Sequence, residues 1–199
     1  MAFGNFTFPQ VQRDLGLTYR EADLFSHIAA CEPRAEFAET LKEGATLALA
    51  LDTEKARSEF MIAPILFELR RMLGRSFGLF SGIELNVDAS KGLNGVCDFI
   101  LSQEAIQYFL TAPLITVVEA KNDNVHNGLA QCIASTYAAA IFNQRAGREV
   151  KAVFGVITTG TAWKFLRIEG ADLTLDPGEY YIDNVGKIMG VLKHIIETA

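Results

Sequence analysis

Cysteine is scarce in this chain. Cys31, Cys97 and Cys132 are the whole complement in 199 residues. An odd number without C-x-x-C spacing excludes a complete disulfide framework, and no Cys/His spacing marks a zinc site. All three lie in apolar surroundings and read as buried free thiols, which points to a reducing cytoplasm. Long apolar runs are missing as well, since none approaches the ~18 residues of a membrane span. The opening MAFGNFTFPQVQRD lacks the basic region and apolar core of a secretory signal. Positive charge is not in excess: 18 Lys and Arg face 24 Asp and Glu, a net charge of −6. That balance counts against a strongly basic nucleic-acid binder. It leaves room for a local basic patch, or for an acidic pocket neutralised by a metal. There is no G-x-x-x-x-G-K-[ST] phosphate loop and no G-x-S-x-G elbow. His27, His126 and His194 are scattered. No internal repeat, low-complexity tract or long linker divides the chain, so residues 1–199 are expected to form one domain.

What is present is a folded composition: half the residues are hydrophobic and 21% are charged. Residues 10–50 look helical, with Phe37, Leu41, Ala45, Ala48 and Leu49 at the spacing of one apolar face. A second helical stretch, TEKARSEFMIAPILFELRRML, follows Asp52 and Thr53, either of which suits a cap. Pro64 within it predicts a kink or a restart. The character then changes. FSGIELNVD (80–88) and VCDFILS (96–102) read as strands joined by a longer loop, DASKGLNG, rich in turn residues. After the excursion QEAIQYFLTAP comes a third strand, LITVVEAKN. GLAQCIASTYAAAIFNQ (128–144) is a helix with Leu129, Cys132, Ile133, Thr136, Tyr137, Ala140 and Ile141 along one stripe. AVFGVITTG and AWKFLRIEG form a hairpin turning at Thr159–Gly160–Thr161, LTLDPGEYY adds a short strand, and NVGKIMGVLKHIIETA is a closing helix. The fold class is α/β, a mixed central sheet flanked by helices.

The chemistry gathers at the third strand. Val117, Glu119 and Lys121 alternate, so they share a face. Two charges at the end of an apolar strand are costly unless they pair or bind something. A weak surface pair at a strand end is the simpler reading of Glu119–Ala120–Lys121. A second E-x-K, Glu149–Val150–Lys151, looks like a solvated turn and shows that the pattern alone decides nothing. Asp98 supplies context, because it sits among Val96, Cys97, Phe99 and Ile100. An acid there needs a partner, a metal or a backbone hydrogen bond. Side by side, Asp98 and Glu119 would repel unless a cation sat between them. Oxygen-only ligands suit Mg²⁺ or Mn²⁺. A lysine beside such a metal can orient or deprotonate a water, and the metal can stabilise charge on a phosphate oxygen.

This layout resembles the PD-(D/E)XK nuclease superfamily, also called restriction endonuclease-like. A helix, a β-hairpin with Asp98, a strand with Glu119–Ala120–Lys121 and a following helix carry the resemblance. It covers roughly residues 53–168. Residues 1–52 would then be an N-terminal helical extension, and 169–199 a C-terminal strand and helix. The resemblance implies a restriction endonuclease-like core (αβββαβ) with metal-dependent hydrolysis of DNA. It assigns Asp98 and Glu119 to Mg²⁺ or Mn²⁺, and Lys121 to the attacking water. Glu59, on the first core helix, would be a supporting acid near the metal. Gln131, on the helix after the E-x-K strand, would orient Lys121 or contact substrate. The resemblance also suggests a homodimer, since cutting two strands invites two sites, with the N-terminal helices as its surface. The residue before Asp98 is Cys97 rather than proline, and no separate DNA-recognition domain is visible.

Simpler readings stand beside these. Glu59 can be an ordinary polar helix residue, and Gln131 can hydrogen-bond within the core. His126 reads first as a surface-loop histidine and Trp163 as sheet packing. Lys91, Arg70, Arg71 and Arg75 fit either phosphate contacts or a solvated face. Three functions follow: a Mg²⁺-dependent DNA nuclease, a non-catalytic binding or assembly module on the same fold, and a hydrolase of a small phosphate compound.

Overall fold

The computed structural model describes residues 2–148 and 150–199. Its centre is an open, mixed eight-stranded sheet with helices on both faces. The strands are β1 (Thr18–Glu21), β2 (Gly78–Asp88), β3 (Leu93–Ser102), β4 (Leu114–Ala120), β5 (Val153–Thr158), β6 (Ala162–Glu169), β7 (Asp172–Leu175) and β8 (Tyr180–Tyr181). Seven lie in the order β1-β7-β6-β5-β4-β3-β2, and β8 pairs with β6. Among the described residues only β4–β5 and β1–β7 are parallel.

The helices are α1 (Phe8–Asp14), α2 (Ala35–Leu51), α3 (Glu54–Arg57), α4 (Ala63–Met72), α5 (Leu129–Arg145) and α6 (Val185–Thr198). α5 crosses from β4 to the parallel β5, as such a pair requires. It packs on one sheet face, where Cys132, Ile133, Ala134 and Ala138 meet Ile100, Val117, Ile157 and Leu166. Close approach needs Gly155: a Cβ there would lie 2.5 Å from Thr136 Oγ1 and 2.8 Å from Cys132 Sγ. On the other face α4 and α6 bring Ile65, Leu66, Leu69, Ile188 and Leu192 onto Phe99, Val118, Val156 and Phe165. Among the described residues no helix is long and apolar enough to cross a membrane.

Several sequence readings are modified here. Residues 10–50 are not helical throughout. α1 ends at Asp14, β1 joins the sheet edge beside β7, and only then does α2 begin. Four exposed residues, TYRE, carry no apolar alternation, so nothing local announced a strand. The segment is also more than an extension. Phe3 and Phe6 are buried in the α5-side core, and Phe3 lies against Gly95 of β3.

The expected longer hairpin loop is instead a tight 3₁₀ turn, Ala89–Lys91. Asp88 caps it, and Gly92 takes the left-handed conformation that a glycine tolerates (φ 75°). Pro64 stands in the first turn of α4, so the helix does restart here. A π-helical turn, Ser58–Ile62, joins α3 to α4 just ahead of it. Proline has no N–H for the carbonyl four residues back. That carbonyl, Phe60 O, faces Gly44 of α2, where a Cβ would stand 2.5 Å away. On α2, Leu41 and Ala48 are buried and Phe37 and Ala45 partly so, whereas Leu49 is exposed. Cys97 and Cys132 are buried free thiols, while Cys31 is only half-buried.

Candidate active site

The site forms at the carboxyl end of β4, where open α/β sheets commonly bind ligands. Here β3 and β4 part company. Their ladder runs as far as Phe99 opposite Val118. Beyond it the Ala120 N–H has no strand carbonyl from β3. Asp98 Oδ2 accepts that N–H at 2.8 Å. Asp98 thus takes the place of a missing ladder acceptor, and its carboxylate is half-buried next to Glu119.

Glu119 is fully buried, at 0% exposure. Its two oxygens are held from α5. Gln131 Nε2 donates to Oε2 at 2.6 Å and Ser135 Oγ donates to Oε1 at 2.9 Å. Gln131 and Ser135 are four residues apart, so one helix face delivers both. Burial first, and the neighbouring Asp98 charge next, raise the Glu119 pKa to about 8. The Ser135 hydrogen bond and the Lys121 charge oppose that shift, while the Glu54 charge adds to it. Burial likewise pushes the Cys97 and Cys132 thiols up, with Glu119 as the next cause.

Lys121 follows β4. Its N–H donates to Thr158 O at 2.8 Å. Its side chain is half-buried and runs over Gly128, where a Cβ would sit 2.8 Å from Lys121 Cε. A glycine is what lets this lysine lie flat on the entrance to α5. Among the described residues Lys121 forms no ion pair within 4.0 Å; its charge acts on Glu119 through space.

The structure therefore brings Asp98, Glu119, Lys121 and Gln131 together. It gives Gln131 a different partner from the one expected: the amide holds Glu119 rather than Lys121. Glu59 does not join them. It is exposed, pairs with Lys55 at 2.7 Å, and lines the groove of Arg34, Phe37 and Phe67 between α2 and α4. Glu54, also exposed, is the acid of this segment whose charge reaches Glu119. The physical reason is angular. Five residues of helix turn a side chain by about 140°, so Glu54 and Glu59 cannot face the same way.

Two further residues belong here that sequence reading missed. Ser135 could have been found four places after Gln131. Arg57, three after Glu54, is buried and donates to Asn122, Thr159 and Asp52. The bystander readings hold elsewhere. Trp163 is buried and donates to Gly160 O at 3.0 Å, and His126 lies in an exposed loop beside Asn124. Arg70 is spent on Phe77 O, and Arg71 on Glu68. The second E-x-K rests on Glu149, which lies outside the described residues.

The donor set is two carboxylates. Among the described residues no three His, Cys, Asp or Glu side chains gather to hold a metal. Mg²⁺ asks for no more than one or two carboxylates and keeps several waters. Asp98 Oδ1 makes no protein hydrogen bond among the described residues, and Glu119 accepts one on each oxygen, leaving lone pairs on both acids. Hard oxygen donors of like charge fit Mg²⁺ or Mn²⁺. Neither a protein-family model nor a curated protein matches this chain.

Proposed function

We propose that this protein is a metal-dependent nuclease of the PD-(D/E)XK type, with a restriction endonuclease-like core, that hydrolyses phosphodiester bonds in DNA. The observation that carries this reading is the fully buried Glu119 carboxylate. It is gripped on both oxygens by Gln131 and Ser135 and lies in the fields of Asp98 and Lys121. A purely structural glutamate would not need a second acid and a lysine beside it.

Asp98 and Glu119 would hold Mg²⁺ or Mn²⁺, which when bound supplies stabilisation of charge on phosphate oxygens. The chain's own groups do the rest. Gln131 and Ser135 fix the plane of the Glu119 carboxylate, so its remaining lone pairs keep one direction. Asp98 commits Oδ2 to the Ala120 N–H, which fixes its remaining oxygen. Among the described residues the Lys121 ammonium has no carboxylate within 4.0 Å. It is thereby available to orient an attacking water or to take up charge on a phosphate oxygen.

A second reading, a nuclease-fold binding or assembly module without activity, draws on the absence of a third acid among the described residues. Cleavage separates the two. Duplex, single-stranded and branched DNA are incubated with Mg²⁺ or Mn²⁺ and wild type, Lys121→Ala or Glu119→Ala. Cutting by wild type and by neither variant supports the nuclease. No cutting, together with no calorimetric metal binding, leaves the binding module.

A further inference from the structure

We propose that Arg57 is a positioning residue for Lys121. This inference rests on the nuclease reading, because it concerns how the lysine of that site is aimed.

Arg57 is 9% exposed and its charge is almost out of water. Such a group is tolerated only when its N–H donors are met. Three segments meet them. Nε donates to Asn122 Oδ1 at 3.1 Å, Nη1 to Thr159 O at 3.1 Å, and Nη2 to Asp52 Oδ1 at 3.2 Å. Two of these acceptors flank Lys121. Asn122 is its covalent neighbour, and Thr159 follows Thr158, whose carbonyl takes the Lys121 N–H. The bonds close a ring. It runs from Lys121 to Thr158 and Thr159, through the guanidinium to Asn122, and back to Lys121.

The ring has a stiff side. Thr158 and Thr159 are buried at the β5–β6 turn. Thr158 Oγ1 donates to Ala162 O and accepts from Gly160 N, and Trp163 Nε1 holds Gly160 O. Its other side is anchored by Asp52, the left-handed residue (φ 48°) that ends α2. Arg57 thereby transmits the rigidity of that turn to the residue after Lys121. A planar fork meets three acceptors in three directions, which a lysine ammonium cannot reproduce at the same reach. Among the described residues Lys121 has no ion pair to aim it, and its backbone and the Gly128 shelf direct it.

The test uses the full chain and a fluorescent DNA oligonucleotide with Mn²⁺. The variants are Arg57→Gln, Arg57→Lys, Asn122→Ala and the double Arg57→Gln/Asn122→Ala. Exchange of the Lys121 amide is followed by NMR, and global stability by urea. Misplacing a reacting group by about 1 Å costs about 100-fold in rate. The expected result is a fall of that order in kcat with KM unchanged for Arg57→Gln. Arg57→Lys should not restore the rate. The double variant should be no slower than the slower single one. Exchange should quicken at Lys121 beyond the change at Val117 and Val118 further back on β4. An unchanged kcat, or losses that multiply in the double variant, would overturn the proposal. So would exchange that quickens evenly along β4 with lost stability. If Arg57→Gln fails to fold, Asn122→Ala cuts the same ring and decides the matter. If wild type cuts no DNA, the nuclease reading fails separately, and Lys121 exchange alone then judges the ring.

Discussion

Gln131 Nε2 lies 2.6 Å from Glu119 Oε2, joining the first turn of α5 to the end of β4 at a carboxylate that water does not reach. The sheet supplies the acid and the helix sets its orientation. Removing the amide leaves Ser135 alone on the carboxylate. Outer partners of this kind are worth about 10–100-fold in activity or metal affinity. Gln131→Ala is expected to cut that much more slowly in initial-rate assays. A destabilisation of about 1–3 kcal/mol should appear in urea unfolding.

Stability should depend on pH through Glu119. Its folded pKa is raised by burial to about 8, against an ordinary value of 4.5. Below 4.5 both folded and unfolded chains carry the proton. Between 4.5 and about 8 the unfolded chain has released it while the folded chain retains it, so stability falls as pH rises through that window. Above about 8 the loss is complete. Thermal melts in chelator should show this decline, and Glu119→Gln should flatten it. A wild-type profile as flat as the variant's would refute the assignment.

Metal binding should carry a proton signature. Below about pH 8 the metal-free Glu119 is protonated, and a cation must displace that proton to use the oxygen. Calorimetric titration with Mg²⁺ in two buffers of different ionisation heat should report proton release approaching one per site at pH 6–7, declining above pH 8. Apparent affinity should rise with pH over the same range. Glu119→Gln should abolish the proton term.

The two glutamates of the first core helix should behave differently. Glu54 acts on Glu119 through space and Glu59 is tied to Lys55 on another face. Glu54→Gln is expected to lower the Glu119 pKa slightly and so bring the upper end of the stability decline in the melting profile to lower pH. Glu59→Gln should leave that profile where it was, with a stability change under about 0.5 kcal/mol.

Much of this arrangement was legible before any coordinates. The alternation Val117–Glu119–Lys121, the acid within an apolar strand at Asp98 and the helical stripe after Gly128 are local patterns, and local patterns survive folding. What was hidden depends on angle or on distant partners. Glu59 was read as the site acid because position along a helix is visible in a sequence while rotation about its axis is easily misjudged. The π turn before Pro64 rotates it further. Nothing local marked Arg57, since its acceptors lie at Asn122 and Thr159, 65 and 102 residues away. β1 escaped notice because its hydrogen bonds go to β7, and its exposed side chains record nothing of them.

The pairing of Thr18–Glu21 with Asp172–Leu175 also sets a schedule. On a ribosome, β1 emerges 172 − 18 = 154 residues before its partner. At about 5–20 residues per second that is a wait of roughly 8–30 s. Throughout it, Phe3 and Phe6 have a core to join only after β3 and α5 arrive, and β1 lacks β7, the strand it pairs with. The chain's earliest strand is thus among the last to dock. Slowing synthesis before residue 172 would lengthen the time that this amino-terminal segment stands open to chaperones and proteases.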